Sequence, residues 1–217
     1  MAIRDASSKP LSVVLVDDYR HERDVMAKIL LEQSEYYPVK LLRFADEAVD
    51  FCKKNPVDIV IIDVMMPRGM DGIKAAEKLR SIKPNIKIIL ITSACEDSWI
   101  PAARAAGADS FWYKNYSRES FLEIVDRTAA GESIYPDVTP NAPIGNATRD
   151  DFSKMDLIIL KKMMSGLSNS EIAAQVGLTP DGVRYHIKTM LRKTGLPNRV
   201  SLIVSAARFG IVVGDDQ

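Results

Sequence analysis

Apolar and polar positions alternate on two length scales along this chain. Four short runs, Val13-Val14-Leu15-Val16, Ile59-Val60-Ile61-Ile62, Ile88-Ile89-Leu90-Ile91 and Phe111-Trp112-Tyr113, each end on polar residues: Asp17-Asp18, Asp63, Thr92 and Lys114. Between them lie longer stretches of helical period. Short β-branched runs set between helical stretches mark strands buried on both faces of a parallel sheet. The pattern predicts strands over residues 11–16, 39–44, 57–62, 86–91 and 110–113. Helices are predicted over 19–33, 46–54, 72–82, 98–106 and 118–130, with Val25, Ile29 and Leu30 on the inner face of the first. Right-handed crossovers place helices on both faces. The expected fold class is therefore α/β, a five-stranded doubly wound parallel sheet.

After Gly131 the texture changes. Pro136, Pro140, Asn141, Pro143, Gly145 and Asn146 dominate, with few large apolar residues, which reads as a linker. Ser153 opens a small all-α unit of four predicted helices, 154–164, 169–176, 180–194 and 199–208. Ser153 with Asp156 and Ser168 with Glu171 have capping-box spacing. Thr179-Pro180 supplies an N-cap followed by proline at the first helical position. The expected organisation is residues 1–131, a linker over 132–152, and a helix–turn–helix unit over 153–217.

Charge sharpens this division. The whole chain is neutral, but from Ser153 onward nine Lys/Arg face five Asp/Glu, so the last part carries +4 and the rest −4. A basic segment behind an acidic one suggests two different partners, the second a polyanion. Cys52 and Cys95 lack metal-ligand or redox spacing and are expected to be buried or half-buried free thiols. The first residues, Met-Ala-Ile-Arg-Asp, lack a signal-peptide core, and no run reaches spanning length, so a cytoplasmic protein with no membrane partner is expected.

Ligands of parallel α/β sheets bind beyond the carboxyl ends of the strands. Asp17, Asp18, Asp63, Thr92 and Lys114 should therefore share one rim. Three carboxylates together repel one another unless countered, and a hard divalent ion such as Mg2+ takes one or two carboxylates plus water and phosphate oxygens. Lys114 can hold phosphoryl oxygens, Thr92 can hydrogen-bond to them, and Asp63 is the carboxylate best placed as a nucleophile. Singly, each has a plainer reading. Asp17-Asp18 could cap a helix, Thr92 could cap another, and Lys114 could be solvated. Their recurrence at four strand ends favours a common site.

Val16-Asp17-Asp18, Asp63-Val-Met-Met-Pro67 followed by Asp71-Gly72, Ile91-Thr92-Ser93-Ala94, Ala106-Gly107-Ala108-Asp109 and Lys114 resemble the receiver domain of two-component response regulators, over about residues 11–130. The resemblance implies a flavodoxin-like fold and a phosphoacceptor, Asp63, served by a sensor histidine kinase. It implies Mg2+ (or Mn2+) held by Asp18, Asp63 and the Met65 carbonyl, with Asp17 assisting through water. It also implies a switch pair, Thr92 and Phe111. Two departures stand out: the Pro67–Gly72 loop is one residue longer than usual, and Asn115 replaces a common proline. Met65 and Ala94 offer no polar group to orient an attacking water, so a long-lived phosphoryl form and only slow autodephosphorylation are expected.

In the helical unit, Val183, Ile187 and Leu191 form the expected core stripe of residues 180–194. Arg184, Lys188 and Arg192 recur at the same spacing on another face, with Tyr185 beside them. A charged stripe is ordinarily just a solvated face. This one is nearly all positive and lies on the second helix of a helix–turn–helix, the element expected in a major groove. Residues 166–173 and 183–195 resemble the LuxR/NarL-type DNA-binding domain, although Phe152-Ser153-Lys154-Met155-Asp156 departs from its usual first helix. The resemblance implies that Arg184, Tyr185 and Lys188 face bases or nearby phosphates, and that Asn169, Ser170 and Arg192 face the backbone. His186 falls beside the core stripe and is expected to be structural.

Together these likenesses imply a response-regulator transcription factor. It would form a homodimer when phosphorylated, with Leu202, Ile203 and Ala206 of the last helix as a dimer surface. Its partners would be an operator in double-stranded DNA and RNA polymerase. Two other classes were weighed. A phosphohydrolase with Asp63 as nucleophile would resemble Asp-x-Asp-x-Thr after the first strand, a spacing that Asp17-Asp18 lacks. The other is a pure interaction module whose helical unit binds protein or RNA, which a duplex-DNA binding assay with its salt dependence separates.

Overall fold

The structure, a computed structural model, describes residues 10–33, 35–66, 68–117 and 119–208. The chain divides into two compact units. The first holds the residues up to Thr92 together with Trp99–Asp137; the second holds Ser93–Ser98 and the residues from Val138 onward.

In the first unit, strands β1 (Leu11–Val16), β2 (Tyr36–Leu42), β3 (Ile59–Asp63), β4 (Lys87–Thr92) and β5 (Ser110–Tyr113) form one parallel sheet of order β2-β1-β3-β4-β5. Helices α1 (Arg20–Leu31), α2 (Ala45–Lys54), α3 (Gly72–Ile82), α4 (Trp99–Ala105) and α5 (Phe121–Ala129) alternate with the strands. The aliphatic runs are where the periodicity puts them, and Val13 to Val16, Ile59 to Ile62 and Ile88 to Ile91 are fully buried. On one face Met26, Leu30, Trp112, Ile124 and Val125 join them in a single core cluster.

Three local expectations are corrected. The second strand begins at Tyr36, not at residue 39; its register with β1 slips between Val13 and Val14, which pair with Pro38 and Lys40. An edge strand tolerates proline there because one side of its ladder is unpaired. The inner face of α1 is Met26, Ala27 and Leu30, while Val25 is exposed. The fifth helix starts at Phe121, where the Ser120 hydroxyl accepts from Glu123 N; the expected start at Arg118 lies outside the described residues. The chain after α5 then follows β5. Phe111 N donates to Ile134 O at 2.8 Å and Ile134 N to Ser110 Oγ at 3.1 Å, which covers the outer edge of β5.

The second unit holds α6 (Lys154–Met164), α7 (Asn169–Val176), α8 (Pro180–Thr194) and α9 (Arg199–Arg208), at the bounds the caps predict. Both capping boxes form, Thr179 caps α8, and Gly177 and Gly195 end α7 and α8 in the left-handed conformation. The stretch read as plain linker carries a hairpin, β6 (Pro143–Ile144) with β7 (Ala147–Thr148), and a short 3-10 turn at Arg149–Asp151. Its turn serves as a cap: Asn146 N donates to the Thr194 carbonyl at 2.8 Å. Gly145, at φ +59°, sits so close that a Cβ would meet that same carbonyl at 2.2 Å. The buried stripe of α8 is Val183, Ile187, Met190 and Thr194; Leu191 is only half-buried. Leu202 and Ala206 are fully buried, whereas Val200 and Val204 of α9 are exposed. Cys52 and Cys95 are buried free thiols, with pKa values pushed up to about 11 and about 12 by burial. Among the described residues, no helix is long and apolar enough to cross a membrane.

Candidate functional site

Parallel pairing brings the carboxyl ends of β1, β3, β4 and β5 to one rim. Val64 N donates to Ile91 O at 2.8 Å and Lys114 N to Thr92 O at 2.8 Å, so the backbone just past β3 and β5 is tied to β4. Asp17 and Thr92 are fully buried and Asp63 nearly so. Lys114 Nζ lies 2.7 Å from Asp17 Oδ2 and 2.7 Å from Asp63 Oδ2. Each acid is oriented by its own backbone: Tyr19 N donates to Asp17 Oδ1 at 2.8 Å and Met65 N to Asp63 Oδ1 at 2.9 Å.

Gly72 follows Asp71 where α3 meets the end of β3. A Cβ at Gly72 would lie 2.2 Å from the Asp63 carbonyl oxygen, so only glycine lets α3 begin directly against the acid-bearing backbone. Asp71 caps that helix by accepting from Lys74 N at 2.8 Å. The lengthened loop is anchored at the far side. Met70 N donates to Asp46 Oδ2 at 3.1 Å, and Gly69 turns there at φ +78°. Among the described residues no peptide bond is cis, including the one between Lys114 and Asn115.

Burial pushes the Asp63 carboxyl up to about pKa 6, against the pull of the Lys114 ammonium and with the help of the Asp17 charge. Asp17 is raised for the same first reason, again opposed by Lys114. For Lys114, burial works against the charge, but the carboxylates of Asp63 and Asp17 outweigh it and raise its pKa. One oxygen from each of Asp17, Asp18 and Asp63 lies within 4.8 Å of the others. Asp18 Oδ1 is buried with no hydrogen-bond partner. A bare buried carboxylate oxygen beside two more acids is the donor set of a hard, oxygen-seeking divalent cation. The residues fit Mg2+.

Phe111, the other expected switch residue, is fully buried in β5, edge-on to Tyr113 and stacked on Tyr135 at 6.5 Å between centroids. Met65 is half-exposed beside Asp63. Sequence reasoning missed one residue of this site: Glu22, whose Oε2 lies 2.6 Å from Lys114 Nζ. Its only prior signal was its place one helical turn beyond Asp18.

The second candidate surface is built differently. Arg184, Tyr185, Lys188 and Arg192 are all exposed on α8, opposite its buried stripe. Arg184 Nη1 pairs with Asp181 at 2.7 Å within the first turns. Ser170 is exposed on α7, while the Asn169 carboxamide oxygen accepts from Arg199 Nη1 at 2.7 Å. His186 Nδ1 lies 2.7 Å from Asp156 Oδ1 and ties α8 to α6, the structural role expected of it. For Asp156, burial is outweighed by hydrogen bonds from Ser153 and His186, which lower its pKa.

Comparison with known proteins matches two parts of the chain to two families. Residues 13–126 match the response regulator receiver domain, and residues 150–206 match the bacterial regulatory proteins of the luxR family. The uncharacterized transcriptional regulatory protein YxjL of Bacillus subtilis (strain 168) is 27% identical over 93% of this chain and 97% of its own length. The response regulator protein VraR of Staphylococcus saprophyticus is 26% identical over 94% and 99%. Among solved structures, RcsB dimers bound to two parallel DNAs contain a chain of similar fold, with TM-score 0.55 at 16% identity over 92% of this chain and 99% of that one. A LuxR-family two-component response regulator from Aurantimonas sp. SI85-9A1 aligns over 58% of this chain and 89% of its own, with TM-score 0.54 at 23% identity.

Proposed function

Because the chain belongs to the response regulators, with a receiver domain followed by a LuxR-type DNA-binding domain, we propose that Asp63 accepts a phosphoryl group from a sensor histidine kinase and so controls DNA binding. The family is one of transcription regulators, not of enzymes that turn over a substrate. The observation that carries the reading is Lys114 Nζ bridging Asp17 and Asp63 at 2.7 Å each, beside the unpartnered Asp18 oxygen.

The residues divide the work. Asp63 supplies the nucleophilic oxygen, and its Met65 N–H contact fixes which way the carboxylate points. Asp18, Asp63 and the Met65 carbonyl would hold Mg2+ (or Mn2+), with Asp17 assisting. That ion supplies positive charge against the transferring phosphoryl oxygens. Lys114 holds one of those oxygens and neutralises the rest. Thr92 then donates to the phosphoryl group, and Phe111 follows it, shifting the receiver between two states. Met65 brings a thioether, not a water-orienting group, and Ala94 only a methyl. The acyl phosphate is therefore long-lived; a half-life of seconds in purified protein would contradict this.

We take residues 1–131 as the receiver, 132–152 as the joint and 153–217 as the DNA-binding unit. Phosphorylation favours a homodimer, which reads paired half-sites of an operator. Arg184, Tyr185 and Lys188 approach bases or adjacent phosphates, while Asn169, Ser170 and Arg192 approach the backbone. Exposed Val200 and Val204 of α9 are the better candidates for a dimer surface, since Leu202 and Ala206 are committed to the core. The setting is cytoplasmic, with RNA polymerase as the downstream partner. The test is direct: with acetyl phosphate and Mg2+, peptide mapping should find the acyl phosphate on Asp63 of the wild-type protein and none in Asp63→Asn. Modification elsewhere alone would refute the assignment.

A further inference from the structure

Glu22 sits in the first turn of α1 and gives Lys114 its shortest contact, 2.6 Å. An ammonium has three N–H donors and no more. Here all three have carboxylate acceptors: Asp17, Asp63 and Glu22. While the donor approaches and Asp63 is still an anion holding its own N–H, an incoming phosphoryl oxygen needs one of those donors, so another partner has to give way.

The three partners are not equal. The Asp17 side chain is fully enclosed and Asp63 is 7% exposed, whereas Glu22 is 42% exposed. Releasing Asp17 would leave a buried anion without its counter-charge, which is strongly unfavourable. Releasing Glu22 returns a carboxylate to water on a long, flexible stem, at little cost. We propose that Glu22 is a positioning residue that competes with the phosphoryl group for Lys114. It holds the ammonium while Asp63 is unmodified and swings into solvent when the acyl phosphate forms. This rests on Asp63 being the phosphoacceptor. In the step itself an Asp63 oxygen forms the new bond to phosphorus and the bond from phosphorus to the donor's leaving atom breaks. With acetyl phosphate this is a P–O bond, acetate departing with the electron pair; with phosphoramidate it is a P–N bond, ammonia departing with it. Glu22 takes no part in either bond. Its effect is to oppose the approach of an anion and to occupy the donor that the phosphoryl oxygen needs.

The test uses the full chain with Mg2+, comparing wild type, Glu22→Gln and Glu22→Ala. Two donors are used at neutral pH: acetyl phosphate, with two negative charges, and phosphoramidate, with one. Initial rates are followed from well below saturation upward. Both variants should react with dilute acetyl phosphate faster by about three- to tenfold, mainly through a lower half-saturating concentration. The alanine variant, which also frees the donor, should be at least as fast as the glutamine one. With phosphoramidate the gain should be smaller, because less charge is repelled. A merely structural role would move both donors alike. Unchanged or slower rates, or one factor for both donors, would overturn the proposal. Wild-type protein left unmodified by both donors would instead overturn the assignment of Asp63 itself.

Discussion

The two candidate surfaces of this molecule obey opposite rules. In the receiver, the candidate groups Asp17, Asp63 and Lys114 are buried and joined by contacts of 2.7 Å, with Thr92 fully buried beside them. On α8, the candidate groups stand in water, set out by helical spacing, with Arg184 paired to Asp181. Covalent chemistry needs pre-organised charge in a low-dielectric place, even at the expense of stability. Duplex recognition needs cations free to find phosphates and to release counterions. Substitutions in the first region should therefore act nearly all-or-none, and those in the second should act in increments.

The sharpest way to break that contrast is Asp63→Asn, which should abolish modification by acetyl phosphate as judged by mass spectrometry. Residual labelling at the wild-type rate would mean that the buried set is not the reactive one. Next is Lys114→Ala. It strands two buried carboxylates, so urea unfolding in EDTA should show a loss of about 3–5 kcal/mol, the usual effect of removing one partner of a buried pair. A loss below about 1 kcal/mol would place Lys114 with the surface pairs instead.

The third prediction runs the other way. The folded pKa of Asp63 is raised to about 6. Between the unfolded value near 3.8 and about 6, the native state binds more protons than the unfolded state, so stability falls as pH rises through that window. Above it, in EDTA, Asp63→Asn should be more stable than wild type by about 2–3 kcal/mol. That gain should fade as pH falls toward 4. A gain independent of pH would contradict the assigned cause. Smallest is Lys188→Ala on α8. Its binding to a labelled random-sequence duplex should weaken about tenfold, and the slope of log affinity against log salt should drop by about 1. An unchanged slope would remove Lys188 from the phosphate-contacting set.

Much of this was legible before any coordinates, for identifiable reasons. Asp17, Asp63, Thr92 and Lys114 end aliphatic runs, and in a parallel sheet every strand end reaches the same rim. The helices of the second unit have caps whose chemistry is local: Ser168 with Glu171, Thr179 with Pro180. What escaped notice depends on tertiary context. The first residues of β2, Tyr36 and Tyr37, precede Pro38, and a proline inside a strand is tolerable only at an edge position. The β6–β7 hairpin is too short for periodicity to register, and its purpose, closing the end of α8 at Thr194, is a contact between distant residues. On α8 the core stripe ends on Met190 and Thr194, whose hydroxyl donates to the Met190 carbonyl at 2.9 Å. Glu22 looks like any surface glutamate until Lys114, 92 positions away, is found beside it.

Coupling between the buried acid and the exposed helix is the property on which regulation of DNA binding by Asp63 depends. Duplexes enriched from a random pool by the phosphodonor-treated protein supply the probe, titrated with wild type and Asp63→Asn before and after acetyl phosphate and Mg2+. The expected result is tighter binding, with a larger solution mass, only for treated wild type. Equal affinity and size in all four samples would contradict it.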